Sequence, residues 1–218
     1  TQYCLKMDVK KFYPSIDHDV LKQIIRKKIK DKDLLWLLDE IIDSAKGVPI
    51  GNYLSQYFGN LYLSGLDHWA KEQKQCKYYF RYCDDIVILD ANKSLLSYLR
   101  KEISEYLKNE LSVTLKENWQ VFPVDIRGID FLGYRFFHDY TLLRKTTSIR
   151  FKKRIKNIKE NYKGLTPINI LSGVMSYWGW MKHANCYRLQ NKYIDKYIKQ
   201  IVNNVCINNK LHNPVECI

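Results

Sequence analysis

The 218-residue sequence contains no run of about 18 apolar residues, so no segment of it reads as a membrane-spanning helix. It shows no secretory signal pattern. It also has no initiating methionine: it opens as "TQYCLKMDVK", already inside a strand-like run, and the expectation is a fragment that has lost an N-terminal part. None of its six cysteines (Cys4, Cys76, Cys83, Cys186, Cys206, Cys217) falls in a C-x-x-C pair, which excludes the usual zinc patterns. A chain of this size with an ordinary core does not need disulfides, so reduced, mostly buried thiols in a cytoplasm are expected. There is no internal repeat and no low-complexity segment.

Acidic residues are scarce in one region only. Up to Arg144 the chain carries 22 basic and 20 acidic residues; from Lys145 onward it carries 14 and 3, and the net charge is +13. A basic C-terminal third points to a polyanion, most simply nucleic acid. A set of solvated helix faces is the plain alternative. Hydrophobic content of 46% and charged content of 27% suit a soluble globular chain, long enough for one large domain or two small ones.

Periodicity gives an element order. "QYCLKMDVKKFY" alternates as a strand ending near Asp8. Ser15 or Asp17 can cap a helix to about Lys30. "DKDLLWLLDEIIDSAKG" reads as a second helix stopped by Gly47, and "VPIGNYLSQ" as a loop. "SQYFGNLYLSGLDHWAKEQ" reads as a helix in which Gly59 and Gly65 mark close approach. "KYYF" and "IVIL" are strand-like flanks of a hairpin, followed by the amphipathic "KSLLSYLRKEISEYLKNEL". "SVTLKENWQVFPV" and "GIDFLGYRFFHDYTLLR" read as short strands, and Ser148 to Ile218 as helices. Antiparallel strands with helices on one face make an α+β domain, followed by a basic helical module; the charge step sets the expected boundary at 144/145.

The hairpin carries two adjacent aspartates, "RYCDDIVIL" at 81–89. Like charges side by side repel, and burying them costs unless a cation lies between them. Asp8 ends another predicted strand. If these strands are neighbours, Asp8, Asp84 and Asp85 meet at one edge. Three acids there suit two divalent cations, since Mg²⁺ takes a few carboxylate oxygens and leaves positions for substrate phosphates. Two such ions clamp the attacking and leaving oxygens of a phosphoryl transfer. Asp8 and Asp84 would bridge the metals, with Asp85 in a looser supporting place. Plain turn residues remain the alternative reading of all three.

"YCDD" at 82–85 resembles the Y-x-D-D signature of reverse transcriptases, "DVKKFYPSIDHDVL" at 8–21 their first catalytic motif, and "FLGYRF" at 131–136 their primer-grip hairpin. In this order and spacing the resemblance covers nearly the whole chain. It implies a polymerase palm followed by an α-helical thumb, with the fingers mostly missing. It also implies an RNA-directed DNA polymerase using two Mg²⁺ ions (or Mn²⁺) at Asp8, Val9, Asp84 and Asp85. "GVPIGNYLSQYFGNLYLSGLDHWAK" at 47–71 is similar to the form found in diversity-generating retroelements, with Ile50 where most relatives have Gln and Gln56 where they have Pro. "VFPVDIRGIDFLGY" and "SYWGWMKHAN" fit the same group.

By that resemblance Tyr13 is the steric gate under the sugar. Pro49, Ile50, Gly51 and Gln56 belong to the incoming-nucleotide pocket, and Cys83 touches the nascent pair. Phe12 and Tyr13 are expected to face opposite ways, as in extended chain. Lys116 is a candidate for the lysine near the pyrophosphate; a solvated strand lysine is the alternative. Phe131, Leu132, Gly133 and Tyr134 form the primer grip. Lys152, Lys153, Arg154 and Lys156, with Lys159 on the same helix, would track nucleic-acid phosphates. Tyr177, Trp178 and Trp180 are more often core than a stacking platform, and His183 is more often a packing histidine than a ligand. The implied partners are an RNA template, a DNA primer, deoxynucleoside triphosphates and a small basic accessory protein, with no membrane. The implied setting is the cytoplasm of a bacterium or a phage host. Group II intron or retron enzymes, a nucleotide cyclase on a similar sheet, and a non-catalytic RNA-binding module are the competing readings. Ile50 and Gln56 argue against the first two, and the lack of a Gly-Gly-acidic hairpin against the cyclase. The last gives no reason for three clustered aspartates.

Overall fold

The computed structural model describes residues 1–49, 51–161, 167–198 and 200. Ile50, Cys206, Cys217 and the expected helix beyond residue 200 lie outside the described residues. The chain divides into two units, Thr1–Arg127 and Gly128–Ile218.

In the first unit the strands β1 (Tyr3–Asp8), β2 (Tyr78–Tyr82), β3 (Asp85–Asp90) and β4 (Gln120–Pro123) form an antiparallel sheet in the order β2-β3-β1-β4. Period-2 alternation sorts its side chains. Leu5, Met7, Tyr79, Ile86 and Ile88 enter the core with Leu96, Leu99, Ile103 and Leu107 of α6 (Lys93–Leu111). Phe58 and Tyr62 of α4 (Tyr53–Tyr62) join them. The opposite face carries Lys6, Asp8 and Asp85, with Asp8 and Asp85 paired directly across β1 and β3.

Helix starts follow their caps. Asp17 accepts from the amides of Asp19 and Val20 to open α2 (His18–Lys28), and Asp31 from Leu34 to open α3 (Lys32–Asp43). Asn92 accepts from Ser94 and Leu95 to open α6. Asn52 caps α4 by accepting from Leu54, so the helix starts at Tyr53 and Gln56 lies within it, exposed, not in a loop. Helical chain continues through α5 (Ser64–His68) and a wide π-type turn at Trp69–Gln73. Phe12–Ser15 forms a short helix, α1, so strand alternation does not govern Phe12 and Tyr13. Phe12 is still buried and Tyr13 half-buried, with ring centroids 5.2 Å apart. Gly47 is not the stop of α3, which ends at Asp43. With φ of +66° it lies against the backbone of Tyr13 and Pro14, where a Cβ would collide, and the Val48 amide donates to Tyr13 O at 2.9 Å. This seam fastens the 47–49 loop to α1.

Val124–Arg127 forms α7. In the second unit β5 (Ile129–Phe131), β6 (Tyr134–Phe136) and β7 (Thr141–Leu143) form an antiparallel meander. Among the described residues three helices follow: α8 (Lys145–Asn161), α9 (Pro167–Met181) and α10 (Tyr187–Gln190), with a π-type helix at Asn191–Ile198. Leu143 shares a core with Phe151, Ile155, Ile158, Ile170, Val174 and Ile194, and Tyr134 packs against it. The division therefore falls at 127/128, ahead of the charge step at 144/145, because the meander is anchored apolarly to the helices while charge changes only after it.

Cys4, Cys76, Cys83 and Cys186 are free thiols, buried except for the half-buried Cys83. Among the described residues no helix is long and apolar enough to cross a membrane.

Candidate active site

Pairing of Tyr82 with Asp85 leaves Cys83 and Asp84 as a two-residue turn between β2 and β3. Pairing of Asp85 with Asp8 brings that turn to the end of β1. Beyond β1 the chain runs beside residues 114–116: Lys10 N donates to Thr114 O and Lys116 N to Asp8 O, both at 2.8 Å. Val9, fully buried, bridges Leu115 and donates its amide to Asp84 O at 3.3 Å. Three separate stretches thus meet at one sheet edge.

The carboxyl of Asp84 is raised above the usual range, by burial first and then by the nearby charge and hydrogen bonding of Asp8. Lys116 Nζ lies 2.8 Å from Asp8 Oδ2. The ammonium is pushed up by that hydrogen bond above all, and then by the charges of Asp8, Asp84 and Asp85. Lys6 Nζ holds Asp85 Oδ2 at 3.3 Å. Asp8 Oδ1 is buried and has no hydrogen-bond partner. The sequence thus left Lys116 open between two readings, and the structure sets it on Asp8. It did not single out Lys6, although two-residue alternation from Asp8 puts Lys6 on the same face.

Tyr13 flanks this edge. A Cβ on Gly59 would come within 3.1 Å of its ring, so the ring lies on α4. Burial, followed by a hydrogen bond with Cys83, pushes its hydroxyl up to about 12. Ser55 is buried and its hydroxyl donates to Pro49 O, tying the loop to the first turn of α4. Gly51 is exposed with open space where a Cβ would stand.

A divalent cation fits the acidic pair. Two carboxylates lie together, one oxygen is buried without a donor, and a lysine ammonium already supplies positive charge. Among the described residues no group of three His, Cys, Asp or Glu is gathered to hold a metal. Mg²⁺ needs only one or two carboxylates when substrate phosphates complete its shell.

In the second unit Leu132 and Gly133 form the β5–β6 turn, both with positive φ, 49° and 85°. A Cβ on Gly133 would strike the Trp180 ring, which stacks on Tyr134 at 5.3 Å. Phe131 pairs with Tyr134 across the turn. Tyr177 and Trp178 pack against the core, as expected, while Trp180 is partly exposed over the turn. Lys152, Lys153, Lys156, Lys159, Lys192 and Tyr193 line one cleft. Arg154 stands apart from it, with its guanidinium against Gly173 of α9.

Comparison with curated proteins finds no match. Among solved structures the chain resembles apo telomerase from Candida tropicalis, at 15% identity and a TM-score of 0.54 over 93% of this chain and 47% of that one. It also resembles telomerase from Candida albicans in complex with a TWJ fragment of telomeric RNA, at 13% identity and a TM-score of 0.52 over 96% and 46%. The chain spans less than half the length of these structures, and at such identity the likeness concerns the fold. Residues 1–136 match the family described as reverse transcriptase (RNA-dependent DNA polymerase). That match takes in β1, the Cys83–Asp84 turn, Lys116 and the Leu132–Gly133 turn, and the chain belongs to the reverse transcriptase family.

Proposed function

We propose that this chain is the palm and basic thumb portion of an RNA-directed DNA polymerase that copies a retroelement RNA into cDNA. The observation that carries the reading is the approach of Asp8 and Asp84 beside Lys116, at the end of a sheet edge open to substrate. In the reaction the primer 3′-oxygen bonds to the α-phosphorus of a deoxynucleoside triphosphate, and the bond to pyrophosphate breaks. Two bound Mg²⁺ ions would supply positive charge to the attacking and leaving oxygens. Asp8 and Asp84 would hold those ions, and Asp85, kept by Lys6, would add negative charge beside them. Lys116 would meet the departing pyrophosphate once its carboxylate partner has another cation. The Tyr13 ring, backed by α4, would press under the sugar and exclude a 2′-hydroxyl.

The finer reading is a polymerase of the diversity-generating type, error-prone at template adenines. Its support is the sequence resemblance at Ile50, just ahead of α4 in the chain, and at Gln56 within that helix. It implies a cytoplasmic enzyme working with a small basic accessory protein. The lysine cleft of α8 would track phosphates of the template–primer duplex.

The test is primer extension on an RNA template by the full-length enzyme in Mg²⁺, with Asp84→Asn beside the wild type. Extension lost in the variant, with duplex binding retained, is the expected result. Equal extension by both proteins would refute the reading.

A further inference from the structure

The turn that carries Asp84 is backbone-strained. Cys83 has φ of +51°, whereas Asp84 is not among the positive-φ residues. A positive φ at the first of two turn residues is the II′ hairpin pattern, whose first position normally goes to glycine. A side chain held there costs on the order of 1–3 kcal/mol and persists only where its surroundings over-determine it.

One side chain reaches this turn from the helical layer. Arg81, two residues before the turn, has a side chain only 9% exposed. Its Nε and Nη2 donate to the two oxygens of Asp67 on α5, at 2.7 and 2.5 Å. Its Nη1 donates to the Cys83 carbonyl at 2.9 Å and to Asn60 Oδ1 on α4 at 3.2 Å. Tyr79 OH donates to the same Asp67 at 2.8 Å. The planar guanidinium thus spans from the helical layer to the carbonyl joining Cys83 to Asp84. Lysine, with one compact ammonium, cannot hold both ends of such a span.

We propose that Arg81 is a positioning residue: clamped by Asp67 and Asn60, it fixes the Cys83 carbonyl and so sets where the Asp84 carboxylate stands relative to Asp8. The inference rests on the polymerase reading only for its consequence in turnover. The clamp itself can be tested without polymerisation.

Two variants separate positioning from bulk stability. Arg81→Lys keeps a positive charge beside Asp67 but releases the turn. Asp67→Asn keeps Arg81 on Cys83 and Asn60 but leaves its buried charge without an opposite charge, which costs more in folding. A purely structural role makes turnover losses follow melting temperatures, with Asp67→Asn the worse. Positioning reverses the order: Arg81→Lys lowers kcat about tenfold, an ordinary effect of misplacing a reacting group, with the KM for deoxynucleotide within about twofold. Asp67→Asn melts lower but loses less kcat. Both are measured in the full-length enzyme, well below either melting temperature. In parallel, hydrogen exchange at the amides of residues 83–85 is followed in the metal-free proteins. Faster exchange in Arg81→Lys than in Asp67→Asn is expected. A wild type that does not extend primers defeats the polymerase reading and leaves exchange to decide the clamp. Turnover that follows melting temperature, or exchange at 83–85 unchanged by Arg81→Lys, overturns the proposal.

Discussion

Lys116 Nζ sits 2.8 Å from Asp8 Oδ2, at the place where a divalent cation would be held. On the proposed reading, the lysine and a metal ion would compete for one carboxylate. Both side chains are about a third exposed, so the pair contributes within the surface range of about 0.2–1 kcal/mol. Lys116→Met should tighten Mn²⁺ binding to the metal-free protein by about 1.4- to fivefold, the same energy expressed as affinity. Primer extension should slow, because the cation proposed to meet pyrophosphate is lost. Mn²⁺ titration followed by electron paramagnetic resonance measures the first effect, and weaker binding in the variant would contradict the competition.

Asp84 makes the metal-free protein pH-sensitive. Burial, followed by the charge of Asp8, raises its carboxyl in the folded state. A carboxyl whose folded pKa exceeds its unfolded value favours folding while protonated. That contribution is full below about pH 3.8, the ordinary value, and is lost as pH rises through the raised folded value. At neutral pH the ionised group opposes folding. Asp84→Asn in EDTA should therefore melt higher than wild type at pH 7.5, by about 2–4 °C if the relief is ~1 kcal/mol. The gap should narrow as pH falls. Added Mg²⁺ should raise the wild type far more than the variant. Melting curves from pH 4.5 to 8 decide this; a variant that melts lower throughout would count against it.

The features legible in the sequence were those set by local rules. Alternation in "YCLKMD" gave β1, the β-branched apolar run "IVIL" gave β3, and the cap at Asp17 gave one helix start. The acidic turn was legible because two aspartates stand between apolar flanks. What escaped depends on contacts between distant residues. Lys116 reaches Asp8 only because residues 114–116 run beside β1. Arg81 looked like an ordinary strand residue because its partners, Asn60 and Asp67, lie 21 and 14 positions away. Gly47 read as a helix stop because its contact with Tyr13 and Pro14 is not local.

The lysine cleft predicts a salt dependence. Each phosphate contact contributes about 0.9 to the slope of log K against log salt on duplex DNA. Replacing Lys152, Lys153 and Lys156 together by Gln should reduce the slope for an RNA–DNA duplex by about 2–3. Replacing the exposed Lys27, Lys28 and Lys30 by Gln removes the same formal charge and should change it by less than about one contact. Equal reductions would assign the effect to net charge and not to the cleft.

The Gly133 turn is a separate point of failure. Its φ of +85° disfavours any side chain, and a Cβ there meets Trp180. Gly133→Ala should cost about 1–3 kcal/mol, the range for a strained backbone position. It should also displace Trp180 from Tyr134, which indole fluorescence reports. An unshifted emission spectrum with unchanged stability would show that the turn adapts freely.

Base selection is the most consequential prediction for the proposed subtype. Ile50 lies between Pro49, whose carbonyl is held by Ser55, and the exposed Gly51. A glutamine amide at position 50 would offer hydrogen bonds that test how the incoming nucleotide sits. Polar contacts built into a site discriminate far more strongly than apolar ones, because a wrong substrate leaves them unpaired. A branched apolar side chain offers no such hydrogen bond. Ile50→Gln in the full-length enzyme should therefore lower misincorporation opposite template adenine, while extension opposite the other three bases is retained. The size to look for is about tenfold, equivalent to ~1.4 kcal/mol of differential transition-state binding. The measurement is primer extension on one RNA template, with single-nucleotide error spectra compared between the two proteins. An unchanged spectrum would remove Ile50 as the determinant and turn attention to Cys83, whose hydrogen bond with Tyr13 puts it at the same edge.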